Sequence, residues 1–211
     1  MKGIYTTIAV WAVTVVAAIS VYSQDVTKDD TKTQTVVVDQ QITTTPDFVF
    51  PTHRQRFDRY VKSTVGPSRL AWTVVSAGIA QWHDHPEEWG QGMRGYGKRY
   101  ASSLGQNAIQ QSVTYGLDEA FGLDTGFQKS NRDGFAARAK DALLQNITSR
   151  TKSGRRVVSV PRIAGVYSAP IITYETWYPD RYNYKDGIRS GTTSLLTGFG
   201  INLVREFVFN W

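Results

Sequence analysis

Apolar side chains recur at helical spacing over most of the chain after residue 51, and this spacing predicts a succession of helices. Thr52 is a suitable N-cap for a first helix, which Gly66-Pro67 ends. We expect Ser68 to cap a second helix of mostly apolar residues, too short to span a bilayer and therefore buried in a protein core. The residues near one face of this second helix are Leu70, Val74, Ala77 and Trp82.

Two further helices are predicted in the middle of the chain. The third begins after Pro86 and continues towards Phe121, where acidic residues and glycines mark a loop. Asp133 or Gly134 begins the fourth. The segment that follows this helix, residues 151–156, is predicted to be a polar turn with cations near the helix C-terminus, where the helix dipole favours positive charge.

Residues 161–177 have an ambiguous pattern. Their β-branched side chains favour a strand, whereas apolar residues at helical spacing and Pro161 at a first-turn position favour a helix. We predict a helix kinked at Pro170. A last helix begins near Asp186. The expected fold is therefore all-α, a single bundle of five or six helices.

The third helix starts in a glycine-rich stretch, residues 89–100, which contains the spacing G-x-G-x-x-G. A dinucleotide-binding turn needs a hydrophobic strand before its first glycine, and residues 83–88 are polar and contain a proline. Instead, Gly97, Ala101 and Gly105 recur every four residues and share one helix face. Such a face lets a second helix approach closely, so we predict a helix contact there and packing through Gly, Ala and Ser faces generally.

The N-terminus has the pattern of an export signal. Lys2 precedes an apolar run from Ile4 to Val21, and small residues up to Ser23 suit cleavage before Gln24. An uncleaved N-terminal anchor is the alternative, because the run is almost long enough to span a bilayer. With no cysteine in the chain, an exported protein of this size is typical of a bacterial envelope.

The domain organisation follows from these patterns. Residues 1–23 are the expected signal peptide. Residues 24–51 are rich in Thr, Asp and Gln without helical period, which predicts a flexible linker. Residues 52–211 form one helical domain, long enough for its own core.

One block of sequence resembles an uncharacterised family of exported acidobacterial proteins: P-E-E-W-G-Q-G-M-R-G-Y-G-K-R-Y, residues 86–100. The resemblance extends over residues 57–207, and it implies export and a helical fold but no activity. An aspartate-proline-arginine-tyrosine element of that family is replaced here by residues 123–127. Further matching segments are Arg138 with residues 139–143, Thr151 before Gly154, residues 163–165 and residues 177–179.

His83, His85 and Glu87 are the cluster with metal-ligand side chains, with Glu88 as an alternative carboxylate. Two imidazoles and a carboxylate can hold catalytic zinc, but the spacing matches no established zinc signature. A solvated loop with acidic residues at a helix N-terminus explains the same residues. No cofactor is expected.

The net charge of +6 is spread along the chain and forms no nucleic-acid-binding motif. Such a charge suits an envelope protein near anionic lipid or glycan. We expect a non-enzymatic structural or interaction component of the periplasm or envelope, with a membrane surface or an envelope protein as partner. The alternatives are a metal-dependent hydrolase using His83, His85 and Glu87, and a module that binds an apolar ligand between helices.

Overall fold

The structure is a computed structural model, described here for residues 48–208. The predicted signal peptide, and the predicted linker up to residue 47, lie outside the described residues. The described residues belong to one compact unit. None of their helices has the length and apolar character needed to cross a bilayer.

The described part is largely helical, with six α-helices, one 3₁₀ turn and a small sheet. The helices are α1 (His53–Val65), α2 (Pro67–Trp82), α3 (Gly92–Phe121), α4 (Phe135–Leu144), α5 (Val160–Thr176) and α6 (Tyr184–Phe207). The 3₁₀ turn covers Glu87–Trp89, and the strands are β1 (Leu123–Asp124), β2 (Thr148–Thr151) and β3 (Arg156–Val158).

Local sequence explains most helix ends. Thr52 caps α1 as predicted, and the Gln55 side chain completes a capping box. Ser68 does not cap α2: Gly66 holds the N-cap position and Pro67 the first turn, where a missing N–H costs nothing. Asn183 caps α6 and forms a second capping box with Asp186.

The prediction of an all-α fold is wrong in one region. Strands β1, β2 and β3 form an antiparallel three-stranded sheet in that order, and β2 and β3 form a hairpin. α4 ends at Leu144, and the predicted turn at residues 151–156 lies within the hairpin. Thr148 and Thr151 on β2 and Val157 and Val158 on β3 are β-branched, which favours strands over an extension of α4.

α5 lies at the centre of the bundle and packs against α3 and α6. Glycines allow these close approaches: a Cβ at Gly165 would lie 2.7 Å from the Gln110 carbonyl oxygen of α3. On α6, a Cβ at Gly187 would lie 2.7 Å from Cα of Ile171. Helix packing through small residues therefore does occur, between α5 and its two neighbours.

Burial in this fold is the reverse of the usual pattern. Among residues 48–208, the buried hydrophobic residues are Ala77, Ala142, Val166 and Ala169. The largest fully buried side chains are instead led by Arg99, Glu206 and Asn107. The α2 residues that we expected in a core include Val74 and Trp82, and both are exposed. On α2 the spacing identified a helix but not its covered face, since Thr73 and Ala77 are the buried residues.

Candidate functional site

The glycine-rich stretch positions a buried arginine. Arg99 lies two turns into α3, is 2% exposed, and donates to the backbone carbonyls of His85 (3.0 Å), Pro86 (2.8 Å) and Gly90 (2.7 Å). It also pairs with Asp84 at 3.0 Å. One guanidinium thus holds the whole connection between α2 and α3.

Three glycines of this stretch allow the connection to fold closely around Arg99. Gly90 and Gly92 have φ of +67° and +80°, values that other residues rarely adopt. A Cβ at Gly95 would lie 2.9 Å from the carbonyl carbon of Gly90 and 2.8 Å from Nη1 of Arg99. These three glycines therefore shape the connection and give Arg99 access to it.

The predicted helix contact through Gly97 and Ala101 is wrong. Both residues are exposed, and a Cβ added at Gly97 would meet no atom within 4 Å. Gly105 does lie in a contact, but with a side chain instead of a helix backbone: its added Cβ would lie 3.4 Å from the Trp177 indole. A repeat of small residues at steps of four shows that they share one helix face. It does not show whether another element packs against that face.

The candidate metal-ligand residues are not brought together. His83 is exposed and stacks against Trp82, while Nδ1 of His85 lies 3.3 Å from the Tyr182 hydroxyl. Glu87 lies 3.7 Å from Arg181 instead of facing the histidines. Within residues 48–208, no three His, Asp or Glu side chains are grouped to hold a metal ion.

An aromatic cluster joins the α5–α6 connection to the α2–α3 connection. Trp177 donates from Nε1 to the Ser102 hydroxyl of α3 at 2.9 Å. Tyr178 packs on Trp89 with ring centroids 4.8 Å apart, and burial raises the pKa of its phenol to about 12. The Trp-Tyr-Pro segment is therefore a structural contact between two loops.

The described residues enclose a polar cleft of about 730 Å³, a volume typical of small-molecule sites. Helices α1, α2, α3, α5 and α6 and the segment after β1 all contribute to its lining. Hydroxyl and amide side chains dominate this lining: Ser63, Ser76, Ser103, Gln106, Asn107, Gln110, Gln111, Thr114, Thr125, Asn146, Ser190, Thr193, Ser194, Thr197 and Asn202.

Within the described part of the chain, four arginines and no Asp or Glu line the polar cleft. Arg59 pairs with Asp124 at 2.7 Å. Arg69, Arg162 and Arg205 have no carboxylate within ion-pair distance among residues 48–208. Burial lowers the pKa of Arg69 and of Arg162, the direction expected when a cation is desolvated.

A smaller pocket of about 50 Å³ adjoins the segment after β1, and the buried carboxyl group of Asp118 lines it. Oδ2 of Asp118 accepts hydrogen bonds from the hydroxyl and backbone N–H of Thr125, and Oδ1 has no partner among residues 48–208. Desolvation raises the pKa of Asp118 to about 6, and the Thr125 hydrogen bonds lower it by a smaller amount. Asp118 is therefore partly protonated in mildly acidic solution.

Comparison of the chain with protein-family models, curated proteins and solved structures gives no match. The resemblance to exported acidobacterial proteins thus stays a prediction from sequence.

Sequence reasoning did not identify the polar cleft. Its one visible trace is a polar stripe at helical spacing on α3, formed by Ser103, Gln106, Gln110 and Thr114. Such a stripe normally faces solvent, so by itself it gave no reason to place a site there.

Proposed function

We propose that this protein is an exported, non-enzymatic component of a bacterial cell envelope, and that its apolar exterior associates with a membrane surface. The observation that carries the proposal is the reversed burial: the interior is polar, whereas large hydrophobic side chains are exposed along several helices. Exposed apolar surface of this extent marks an interaction surface in a folded protein.

The exposed residues form stripes on two helices. On α1, Phe57, Val61 and Val65 follow one another at steps of four. On α2, the stripe consists of Val75, Ile79 and Trp82. Steps of three and four keep each stripe on one helix face, as in helices that lie in the plane of a membrane interface.

The end of the α2–α3 pair has the chemistry of an interfacial contact. Trp82 is 86% exposed and Met93 84% exposed, and a hydrogen bond of 2.6 Å between Gln81 and Gln91 holds these two helix ends together. Tryptophan is enriched at membrane–water interfaces. Arg94 and Lys98 are exposed near the start of α3 and suit anionic headgroups. The acidic residues of the connection, Glu87 and Glu88, pair with Arg181.

Vesicle flotation tests the membrane contact. We expect the purified protein to float with vesicles of phosphatidylethanolamine and phosphatidylglycerol. The double variant Trp82→Ser/Met93→Ser should bind at least about tenfold more weakly, since each buried large apolar side chain contributes about 1.5–3 kcal/mol. Val158→Ser, at an exposed position on β3, is the matched control and should bind normally.

Each other outcome is informative. Equal flotation of the double variant and the control would contradict the assigned surface. If the protein is a dimer in the absence of lipid and Trp82→Ser makes it monomeric, the surface binds a second copy of the chain. Export is tested separately by cell fractionation and intact mass: cleavage of the predicted signal gives a chain that begins at Gln24, and a retained Met1 establishes the anchor.

A further inference from the structure

We infer that the polar cleft binds a small anionic molecule rich in hydroxyl groups, of the class of sugar acids and sugar phosphates. This inference concerns a different surface from the membrane contact and does not depend on it. It also replaces the predicted apolar ligand between helices, because hydroxyl, amide and guanidinium groups dominate the lining.

Unsatisfied hydrogen-bond donors are the first line of support. Nε of Arg69 and Nδ2 of Asn202 are buried and have no acceptor within the described residues, and both residues line the polar cleft. Asn202 is only 4% exposed. Leaving a buried donor unpaired costs about 1–3 kcal/mol, so native structures rarely do so without a reason. Because both groups are donors, a ligand that pairs with them presents acceptors.

The charge of the lining is the second line of support. Arg69 on α2, Arg162 on α5 and Arg205 on α6 approach the polar cleft from three helices without a carboxylate partner in the described part of the chain. Arg162 donates to the Thr125 carbonyl, which holds its side chain in place. Asp118 and Asp124 contribute to its electrostatic environment but do not line the cleft. An anion would supply the missing negative charge, and guanidinium groups bind carboxylates and phosphates well.

The neutral side chains specify the rest of the ligand. Ser103, Gln106 and Gln110 on α3 provide hydroxyl and amide groups on one side, and Thr193 and Thr197 on α6 provide hydroxyls. These groups can donate to and accept from the hydroxyls of a sugar. The aromatic residues of the lining are Trp72 and Phe127, which offer apolar surface to the C–H groups of a sugar ring. A bare inorganic anion would leave most of these contacts unused.

Isothermal titration calorimetry on the full purified chain tests the inference. The probes are trigalacturonate, a sugar acid, and fructose 1,6-bisphosphate, a sugar phosphate. Maltotriose serves as the uncharged control and inorganic phosphate as the control without a sugar. We expect at least one anionic sugar to bind more than tenfold tighter than both controls, with affinity falling as salt is raised. The anionic sugar that binds identifies the class of ligand.

Three variants locate the binding in the cleft. Arg69→Gln removes one unpaired cation, and Asn202→Asp places a like charge beside the anion, so each should weaken binding at least tenfold. Arg205→Gln changes an exposed cation of the lining. It therefore still reports on ligand binding if Arg69→Gln or Asn202→Asp does not fold. Arg54→Gln removes an exposed arginine outside the cleft and is the matched control. Melting curves identify the variants that fold.

Several results would overturn the inference. One is the absence of binding by either anionic sugar. Another is maltotriose or phosphate binding as tightly as the sugars. A third is an anionic sugar whose affinity is unchanged in Arg205→Gln and in every other folded cleft variant.

Discussion

Nη2 of Arg99 donates to the backbone carbonyl of Pro86 at 2.8 Å, inside the connection between α2 and α3. A side chain from α3 thus replaces the internal hydrogen bonds that an irregular loop lacks. The loop needs such a donor because buried carbonyl groups are costly when unpaired. The same guanidinium also pairs with Asp84, so the site combines a charge with directional bonds.

Arg99→Ala should therefore destabilise the protein by about 3–5 kcal/mol, because it leaves several buried acceptors without a donor. Arg99→Lys should lose most of the same stability, since an ammonium group cannot reproduce the planar fork. Urea denaturation followed by circular dichroism measures both. Lys98→Ala, at the exposed neighbouring position, should change the free energy of unfolding by less than about 0.5 kcal/mol. A mild effect of Arg99→Ala would show that the loop is held by other contacts.

Two glycines of one helix should respond oppositely to the same substitution. Gly95→Ala should destabilise, because the added Cβ would lie 2.8 Å from Nη1 of Arg99 and still closer to the Gly90 carbonyl oxygen. Gly97→Ala should stabilise by about 0.5–1 kcal/mol, the helix-propensity gain at an open position. Thermal melts of the two variants decide this point. A destabilised Gly97→Ala would restore the helix contact that its spacing predicted.

The buried carboxyl group of Asp118 should make stability depend on pH. Its folded pKa of about 6 lies above the ordinary value of 3.8, so the folded state holds the proton more tightly. The free energy of unfolding therefore falls as pH rises from about 4 to about 6, and the loss is complete above that window. Asp118→Asn should remove this loss and stabilise the protein at pH 7 by roughly 3 kcal/mol.

Urea titrations of the wild type and Asp118→Asn across this pH range give the difference between their free energies of unfolding. Other carboxyl groups cancel in that difference as long as the variant leaves them unchanged. A constant difference between pH 4 and pH 7 would mean that Asp118 titrates normally.

The ion pair between Arg138 and Glu206 should be strongly coupled. Glu206 is fully buried in the last turn of α6, and its Oε1 lies 2.8 Å from Nε of Arg138 on α4. A double-mutant cycle with Arg138→Met and Glu206→Gln should give a coupling energy of about 1–3 kcal/mol. The exposed pair Arg181–Glu88, at 2.9 Å, is the matched comparison and should give less than about 1 kcal/mol. Similar values for the two pairs would contradict the role of burial.

Helix positions were predictable because they depend on local chemistry. Thr52 with Gln55 forms a capping box that is visible in the sequence, and Pro67 and Pro161 stand in first turns. The hairpin at residues 148–158 was missed because its strands are only four and three residues long. The end of the predicted linker also differs, since Arg150 lies over the Phe48 ring and Arg56 over the Phe50 ring.

The candidate site could not be predicted because it depends on which helix faces meet. Spacing identified the helices but not which of their faces are covered, and burial of polar side chains runs against the usual preference. Arg69, Arg162 and Asn202 stand far apart in the sequence with no shared motif. Their common position follows from packing around α5, where Gly165 lets α3 approach.

The polar interior also has a calorimetric consequence. The heat capacity of unfolding arises mainly from apolar surface that becomes hydrated, at about 12–15 cal/mol/K per residue in ordinary globular proteins. In the part of the chain that the structure describes, the buried hydrophobic residues are few and small, and they include Ala77 and Ala142. Unfolding should therefore show a heat-capacity increment below that range and a shallow curve of free energy against temperature. Cooling should weaken this protein less than it weakens one with a hydrocarbon core.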